Sequence, residues 1–299
     1  MGDNEVTDGR QIIGRYYSEL WNQWSAAALE ELISPDIIFR GSIGTVVRGI
    51  DEFRAYVNRI RSAFPDFHNR IEELVAEGAS VVARLTYTGT HQGEIFGFRG
   101  SGAKVSYQGM AIFHLENGKV MEGHVLGDVE ALKRQLLQGE IAAAAERCAG
   151  KLRVALATRH EEEWAAALMS SSEPWMTLRR DFEQSLEAMR NPNHSLVVAH
   201  GEGGGPAGFM LVHLEGLAGC PYIKSIAVPE ASRGAGVGTE MLRFAEAWFR
   251  PRAKHVFLCV SSLNEKARAL YERVGYAVVG EFEGYILPGA SELLMKKRL

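Results

Sequence analysis

The chain has 299 residues, more than one compact core usually holds, so we expect two domains. Hydrophobic residues make up 46% of the sequence and charged residues 23%, which is typical of a globular protein. The formal net charge is -4, and Lys and Arg form no long run, which argues against a nucleic-acid partner.

The cysteines and the amino terminus indicate a cellular compartment. Cys148, Cys220 and Cys259 are odd in number and lack metal-ligand spacing, which favours a reducing compartment and no metal site. Residues 1–10 are polar and acidic, unlike a signal peptide, and no apolar run is long enough to span a bilayer. We therefore expect a cytoplasmic protein without a membrane partner.

Helices come first in the amino-terminal half. Apolar residues at helical spacing predict a helix over residues 12–32, ended by Ser34-Pro35-Asp36, and a second helix over residues 50–64. Alternating residues then predict strands, and Asn117-Gly118 favours a tight hairpin between the last two. The predicted strands are 37–40, 45–47, 67–75, 81–91, 104–115 and 120–126.

A closing helix is predicted from Asp128 to residue 138. Helices followed by antiparallel strands predict an α+β domain over residues 1–138, in which a curved sheet wraps a helix to form a cone. Residues 139–150, which include an alanine run, are either a linker or a helical extension.

Strands and helices alternate in the carboxy-terminal half, which predicts a separate α/β domain over residues 151–299. The predicted strands are 152–157, 195–200, 207–214, 222–228, 256–260, 277–282 and 293–298. The predicted helices are 161–169, 178–190, 236–249 and 264–274.

The most informative segment is the glycine-rich run Arg233-Gly234-Ala235-Gly236-Val237-Gly238 between a predicted strand and a predicted helix. Such a turn points several backbone N–H groups at one place, and the positive end of the helix dipole favours an anion there. The run therefore predicts a diphosphate cradle, although an ordinary strand-to-helix turn has the same composition.

Together with Asn264, Ala267, Tyr271, Gly275 and Tyr276, this run resembles the GNAT (GCN5-related) N-acetyltransferases over residues 151–299. The resemblance implies a mixed, mostly antiparallel sheet that is splayed at its centre, with acetyl-coenzyme A as co-substrate. The implied cofactor contacts are Ile226, Ala227, Val228, Arg233, Gly234, Ala235, Gly236, Val237, Gly238, Thr239, Asn264 and Tyr271.

The same resemblance implies catalytic roles. The Val228 N–H would bind the oxyanion of the tetrahedral intermediate, and Tyr271 would be the general acid, unless it is a core aromatic residue. A related branch, the ribosomal-protein alanine acetyltransferases, has a glutamate where this chain has Cys259, which is either a nucleophile or a small core residue.

The identity of the general base therefore stays open. The other candidates are His213, Glu215 and Tyr222. Glu173-Pro174-Trp175 resembles an acceptor-side loop and either walls the acceptor pocket or packs on the core.

The amino-terminal half resembles the SnoaL-like polyketide cyclases of the nuclear transport factor 2-like superfamily. The resemblance rests on Thr90-His91-Gln92-Gly93-Glu94, Gly97, Gly118-Lys119-Val120-Met121-Glu122, Asp128 and Gln135-Leu136. It implies that Asp128 is the acid/base of an intramolecular aldol closure.

If residues 120–128 are extended, strand alternation places four of them on one face: Glu122, His124, Leu126 and Asp128. On the predicted strand 81–91, Tyr87 and His91 likewise share a face. We therefore expect Asp128, His91 and His124 to gather around one cavity as an acid–base set. The alternative is that Asp128 is the N-cap of the closing helix.

The two resemblances imply a protein of specialised metabolism that acts on small molecules. The carboxy-terminal domain would transfer acetyl to an amine, and the amino-terminal domain would bind, cyclise or isomerise a hydrophobic metabolite. The chain would form a homodimer through its amino-terminal cone. The alternatives are a non-catalytic cone for binding or dimerisation, and an acetyl-coenzyme A sensor without turnover.

Overall fold

The computed structural model describes residues 8–148 and 150–299. The chain folds into two compact units, one ending at Glu140 and the other beginning at Ile141. The expectation of no secretion signal rests on residues 1–10. Most of this segment lies outside the described residues. None of the described helices is both long and apolar enough to cross a membrane.

The amino-terminal unit packs its helices on one face of a six-stranded sheet with the order β2-β1-β6-β5-β4-β3. Its helices are α1 (Gly9–Arg15), a π-helical segment (Tyr16–Trp21), α2 (Ala26–Leu32), α3 (Ile50–Ala63) and α4 (Val129–Cys148), which runs on past Glu140. Its strands are β1 (Ile33–Arg40), β2 (Val46–Arg48), β3 (His68–Glu77), β4 (Ser80–Thr90), β5 (Lys104–Glu116) and β6 (Lys119–Gly127).

Alternation along β4 shows which sheet face is buried. Val81, Ala83, Leu85 and Tyr87 are buried against the helices, as a strand covered on one face requires. The hairpin predicted at Asn117-Gly118 is confirmed, because both residues have positive φ, 51° and 74°, as a tight β5–β6 turn demands.

The predicted single helix over residues 12–32 is wrong. Trp24 has a φ of 56°, which interrupts the helix, and the Ser25 hydroxyl then caps α2 by accepting from the Ala28 N–H at 3.2 Å. Strand β1 already begins at Ile33, and Pro35 is tolerated there because the β1–β6 pairing shifts register between Ile33 and Ile38.

The alternatives for residues 139–150 are decided by α4, which continues to Cys148. Its second half is rich in alanine, the residue with the highest helix propensity, so most of this interval is a helical extension.

The carboxy-terminal unit is built on a seven-stranded sheet with the order β12-β13-β11-β10-β9-β8-β7. Its strands are β7 (Arg153–Leu156), β8 (Ser195–His200), β9 (Pro206–Leu217), β10 (Cys220–Ala227), β11 (His255–Ser261), β12 (Ala277–Glu283) and β13 (Ser291–Arg298). Its α-helices are α5 (Arg159–Ser170), α6 (Phe182–Arg190), α7 (Val237–Phe249) and α8 (Glu265–Arg273).

All strand pairs of this sheet are antiparallel except β10 with β11, which confirms the mixed, mostly antiparallel sheet. Among the described residues, β10 and β11 pair only at Tyr222–Phe257 and Ile223–Leu258, and the strands then separate. The predicted central splay is therefore confirmed.

Several element boundaries differ from the predictions by a few residues, and two of these differences concern residues that line the candidate site. Helix α6 begins at Phe182 rather than at residue 178, because Asp181 and Gln184 form a reciprocal capping box there. Strand β13 begins at Ser291, two residues before the predicted start, and so includes Glu292.

We expect Val81→Ala to lower the free energy of unfolding of the amino-terminal unit by about 2 kcal/mol, because the substitution leaves a cavity at a fully buried position. The same substitution at Val75 on β3, which is 53% exposed, should cost less than about 1 kcal/mol. Urea unfolding of the full chain, followed by circular dichroism, measures both. Equal losses would contradict this assignment of the buried face.

Candidate active site

The glycine-rich turn has a backbone that needs its glycines. Gly234 and Gly236 have φ values of 81° and 83°, in the left-handed region that other residues avoid. A Cβ at either position would meet no atom within 4 Å, so open space lies beside the turn. Gly238 is different, because a Cβ there would come within 3.3 Å of Leu270 on α8. The turn is thus open outside and tightly packed where α7 begins.

The backbone amides of this turn are free. Within the part of the chain that the structure describes, the N–H groups from Gly234 to Thr239 donate to no hydrogen-bond acceptor. Gly236, the N-cap of α7, has no side chain to satisfy them. These amides and the positive end of the α7 dipole therefore offer an anion-binding surface.

Separation of β10 from β11 creates a gap beside this turn. Beyond Ile223 the backbone of β10 pairs with β9 on one side, and its other edge faces the gap. A cleft of about 780 Å³ borders this turn and the end of β10, and we call it the glycine-turn cleft. It is bordered by Ile226, Ala227, Val228, Arg233, Gly234, Gly236, Val237, Gly238, Thr239, Asn264 and Tyr271.

One predicted contact, Ala235, is exposed and does not border the cleft. Arg233 borders it and donates from Nε to the Val228 carbonyl oxygen at 3.1 Å. Asn264 borders it as the N-cap of α8, where its Oδ1 accepts from the Ala267 N–H at 3.2 Å. Whether these residues bind a cofactor stays a prediction.

A second cavity, of about 520 Å³, is lined by residues of both β10 and β11, and we call it the strand cavity. Aromatic residues from several elements line it, including Trp175, Tyr222, Phe282 and Tyr285. It shares part of its lining with the glycine-turn cleft, namely Glu173, Trp175, Ile226, Asn264, Ala267 and Tyr271. The two spaces therefore meet at Tyr271, and the loop of Glu173 and Trp175 borders both.

Tyr271 is 6% exposed, and burial raises the pKa of its phenol to about 12. The phenol is therefore protonated at neutral pH and can donate a hydrogen bond. Complete proton transfer to a thiolate with a pKa of about 8.5 would be uphill by about 5 kcal/mol. Tyr271 is thus suited to stabilising a leaving thiolate by hydrogen bonding as the carbon–sulfur bond breaks.

The predicted candidates for a base do not all reach the strand cavity. His213 and Glu215 lie outside its lining, whereas Tyr222 and Cys259 border it. Burial raises the pKa of the Tyr222 phenol well above its ordinary value, helped by its hydrogen bond with Cys259. Tyr222 is therefore protonated at neutral pH and is not suited to accepting a proton.

Cys259 is half-buried rather than part of the core, and its thiol borders the strand cavity. Burial raises the pKa of the thiol, an effect that the Tyr222 hydrogen bond opposes and the Glu292 carboxylate reinforces. Because the thiolate is the nucleophilic form, this environment disfavours covalent catalysis by Cys259.

The sequence-based candidates omit Glu292, which also lines the strand cavity. Glu292 lies on β13 directly opposite Ser261 of β11. Burial raises the pKa of its carboxyl, against an opposing hydrogen bond from Ser261. The signal in the sequence is a single acidic residue in the strand Ser-Glu-Leu-Leu-Met-Lys-Lys-Arg, whose start was predicted too late.

The amino-terminal unit contains a separate, narrow cavity of about 40 Å³, enough for a few water molecules. Its lining is mostly aromatic and includes no carboxylate or histidine among the described residues. The hydroxyls of Tyr17 and Tyr87, which line it, are buried and lack a hydrogen-bond partner within the described chain.

The acid–base set expected around this cavity is not assembled. His124 is 55% exposed, and Asp128 is exposed. Both lie on the outer face because the β5–β6 ladder shifts register between His114 and Leu115, which turns the following even-numbered residues of β6 outward. The expectation of one shared cavity is therefore wrong.

The N-cap alternative for Asp128 is confirmed, because its Oδ1 accepts from the Ala131 N–H at 2.9 Å. His91 is fully buried but lies behind Phe64 and outside the cavity lining. Its Nδ1 is 3.2 Å from the Ser101 hydroxyl, and burial lowers the pKa of the imidazole, which keeps it neutral.

No cluster of three or more histidine, cysteine, aspartate or glutamate side chains suited to a metal ion occurs within residues 8–148 and 150–299.

Two family models match the chain, one in each unit. A model of the SnoaL-like polyketide cyclases matches residues 11–136, and a model of the acetyltransferase (GNAT) family matches residues 153–276. The chain joins a SnoaL-like polyketide cyclase domain to a GNAT acetyltransferase domain. We refer to them below as the SnoaL-like domain and the GNAT domain.

Solved structures resemble the SnoaL-like domain. TsrD from Streptomyces laurentii is 30% identical over 42% of this chain and 92% of its own, with a TM-score of 0.39. A protein described as a SnoaL-like polyketide cyclase from Jannaschia sp. CCS1 is 23% identical over 42% of this chain and 89% of its own, with a TM-score of 0.40. No curated protein sequence matches this chain.

The environment of Cys259 leads to a testable expectation. We expect its alkylation by iodoacetamide at pH 7 to be at least tenfold slower in the folded protein than in urea, because the folded thiol is half-buried and its pKa is raised. The folded rate should keep rising above pH 9. Peptide mapping by mass spectrometry measures the rate at this cysteine alone, and fast alkylation at pH 7 would restore Cys259 as a nucleophile.

Proposed function

We propose that the GNAT domain transfers an acetyl group from acetyl-coenzyme A to an amine of a small metabolite. The observation that carries this proposal is the meeting of two spaces at Tyr271, one beside free backbone amides and the other lined by aromatic side chains. Such an arrangement fits a cofactor on one side and an acceptor on the other.

The turn from Gly234 to Thr239 is suited to binding the diphosphate of coenzyme A. Its amides have no acceptor within the described residues, and open space lies beside Gly234 and Gly236. The thioester arm would follow the unpaired edge of β10 toward Tyr271, which suits an extended pantetheine chain.

In the proposed reaction the amine nitrogen attacks the thioester carbonyl carbon. The Val228 N–H, which borders the cleft, would stabilise the oxyanion. As the carbon–sulfur bond breaks, the Tyr271 hydroxyl would stabilise the leaving thiolate. Free cysteines among the described residues agree with a cytoplasmic location, where we place this activity.

For the SnoaL-like domain we propose a non-catalytic role in dimerisation, without catalysis by Asp128, His91 and His124. Tyr17 and Tyr87 present unpartnered hydroxyls inside an apolar cavity, and leaving such groups unpaired is unfavourable. Water molecules, for a few of which the cavity has room, would satisfy both. The non-catalytic alternative is favoured because the cavity lining has no acid–base pair.

We also propose that two copies of the chain associate through their SnoaL-like domains to form a homodimer. The outer sheet face exposes large apolar side chains on three adjacent strands, Ile38, Met110, Ile112 and Leu126. Such a patch is unfavourable in water, and a second copy would cover it symmetrically.

The coenzyme A site is tested by Gly236→Ala, which puts a Cβ on a left-handed residue at a cost of about 1–2 kcal/mol and shifts the amides. We expect coenzyme A affinity, measured by titration calorimetry, to fall at least tenfold. Gly203→Ala, in the exposed turn of β8 and β9, is the matched control and should bind as tightly as the native chain. Failure of the native chain to bind coenzyme A would overturn the proposed function.

The dimer is tested by Leu126→Lys, at a side chain that is 76% exposed on the outer sheet face. We expect the native chain to sediment as a dimer and the variant as a monomer, because a buried lysine without a partner is strongly unfavourable. Val75→Lys, at an exposed position on β3, is the control and should remain dimeric. A monomeric native chain at micromolar concentration would contradict this arrangement.

A further inference from the structure

The strand cavity contains a carboxylate for which the family resemblance assigned no role. Glu292 lies on β13, paired in register with Ser261 of β11 and Phe282 of β12. Its side chain shares a sheet face with Leu294, which pairs with Cys259. Glu292 therefore lies at the wall of the cavity that borders Tyr271.

We propose that Glu292 binds the ammonium group of the acceptor and takes the proton that must leave before the nitrogen can attack. This inference rests on the proposed acetyl transfer and adds the proton acceptor and the charge of the substrate. The acceptor is a small organic cation, a primary ammonium carried on an apolar or aromatic group.

Comparison with the other charged groups of the cavity supports this choice. The charged side chains that line it are Glu173, Arg180, Lys224 and Glu292. Glu173 is exposed, and its Oε2 already accepts from the Thr177 N–H at 3.2 Å and the Thr177 hydroxyl at 2.8 Å. Among the described lining residues, Glu292 is therefore the carboxylate best placed to receive a cation.

The side chains around Glu292 are compatible with a role as proton acceptor. Tyr222 faces it from β10, Cys259 and Ser261 from β11, and Phe282 from β12. None of these groups carries a positive charge, and the two cations that line the cavity, Arg180 and Lys224, are not among the groups that shift the pKa of Glu292. Burial also raises the pKa of Glu292, which makes it a better base than an exposed glutamate.

The aromatic lining favours the same class of acceptor. Trp175, Tyr222, Phe282 and Tyr285 surround the cavity, and aromatic faces attract organic cations. Phe282 and Tyr285 are 46% and 74% exposed, so they offer an apolar surface at the rim. An arylalkyl amine would place its ring there and its ammonium group at Glu292.

Each proton of the proposed reaction is accounted for. Glu292 accepts one proton from the ammonium group, and the neutral nitrogen forms a bond to the thioester carbonyl carbon. The carbon–sulfur bond then breaks, and the nitrogen loses its second proton. One of the two protons ends on the coenzyme A sulfur and the other passes to solvent, which returns Glu292 to its ionised form.

Glu292→Gln in the full chain tests the proposal, with 2-phenylethylamine and tyramine as acceptors and thiol release as readout. We expect kcat/KM at pH 7 to fall at least 100-fold. The deficit should shrink toward pH 10, where an amine with a pKa of about 10 loses its proton without help. Coenzyme A affinity should stay native, because the variant does not alter the glycine-turn cleft. Glu292→Asp should recover part of the rate.

Glu281→Gln on β12 is the matched control, because Glu281 is exposed and lies outside the cavity lining. It should keep native kcat/KM and a native pH profile. Calorimetry of each amine with the coenzyme A-loaded protein gives a second readout, in which Glu292→Gln should weaken binding at least tenfold.

The outcomes separate the two proposals. A native chain that does not bind coenzyme A overturns the proposed function. A native chain that binds coenzyme A, with Glu292→Gln matching it in amine binding and in kcat/KM at every pH, overturns only the role of Glu292. A native chain that binds coenzyme A but neither binds nor acetylates either amine also overturns this inference.

Discussion

The chemistry of the GNAT domain depends on the early separation of β10 from β11. Two parallel residue pairs join these strands, and the edge of β10 then faces a gap instead of a neighbouring strand. Backbone polar groups in such a gap need a partner, which a ligand or water can provide. Only the short helical turn of residues 230–232 lies between β10 and the glycine-rich turn. The amides of the glycine-rich turn, which have no acceptor within the described residues, therefore border the cleft beside the end of β10.

Burial acts in one direction on four titratable groups that line the strand cavity, namely Tyr271, Tyr222, Cys259 and Glu292. It favours the neutral form of Tyr271, Tyr222 and Cys259, so the phenols and the thiol keep their protons. The same effect strengthens Glu292 as a base. The proposed hydrogen-bond donor, Tyr271, and the proposed proton acceptor, Glu292, can therefore coexist in one cavity.

In the SnoaL-like domain the described residues do not bring the predicted acid–base set of Asp128, His91 and His124 to the cavity. Aromatic side chains leave an interior of about 40 Å³, and Asp128 caps α4 instead of facing that space. Meanwhile, the outer sheet face carries the exposed apolar side chains. Association is thus better supported there than acid–base chemistry, because function follows the residues of a site and not the fold.

The sequence by itself determined the two domains and the order of most strands and helices, because these depend on local periodicity. It also determined the Asn117-Gly118 hairpin and the turn at Gly234 and Gly236, because these residues tolerate positive φ. Tertiary structure alone decided which residues face a cavity. One register shift turns Asp128 outward, and pairing of β13 with β11 places Glu292 beside Cys259. Such pairings join residues far apart in the chain, so no local pattern encodes them.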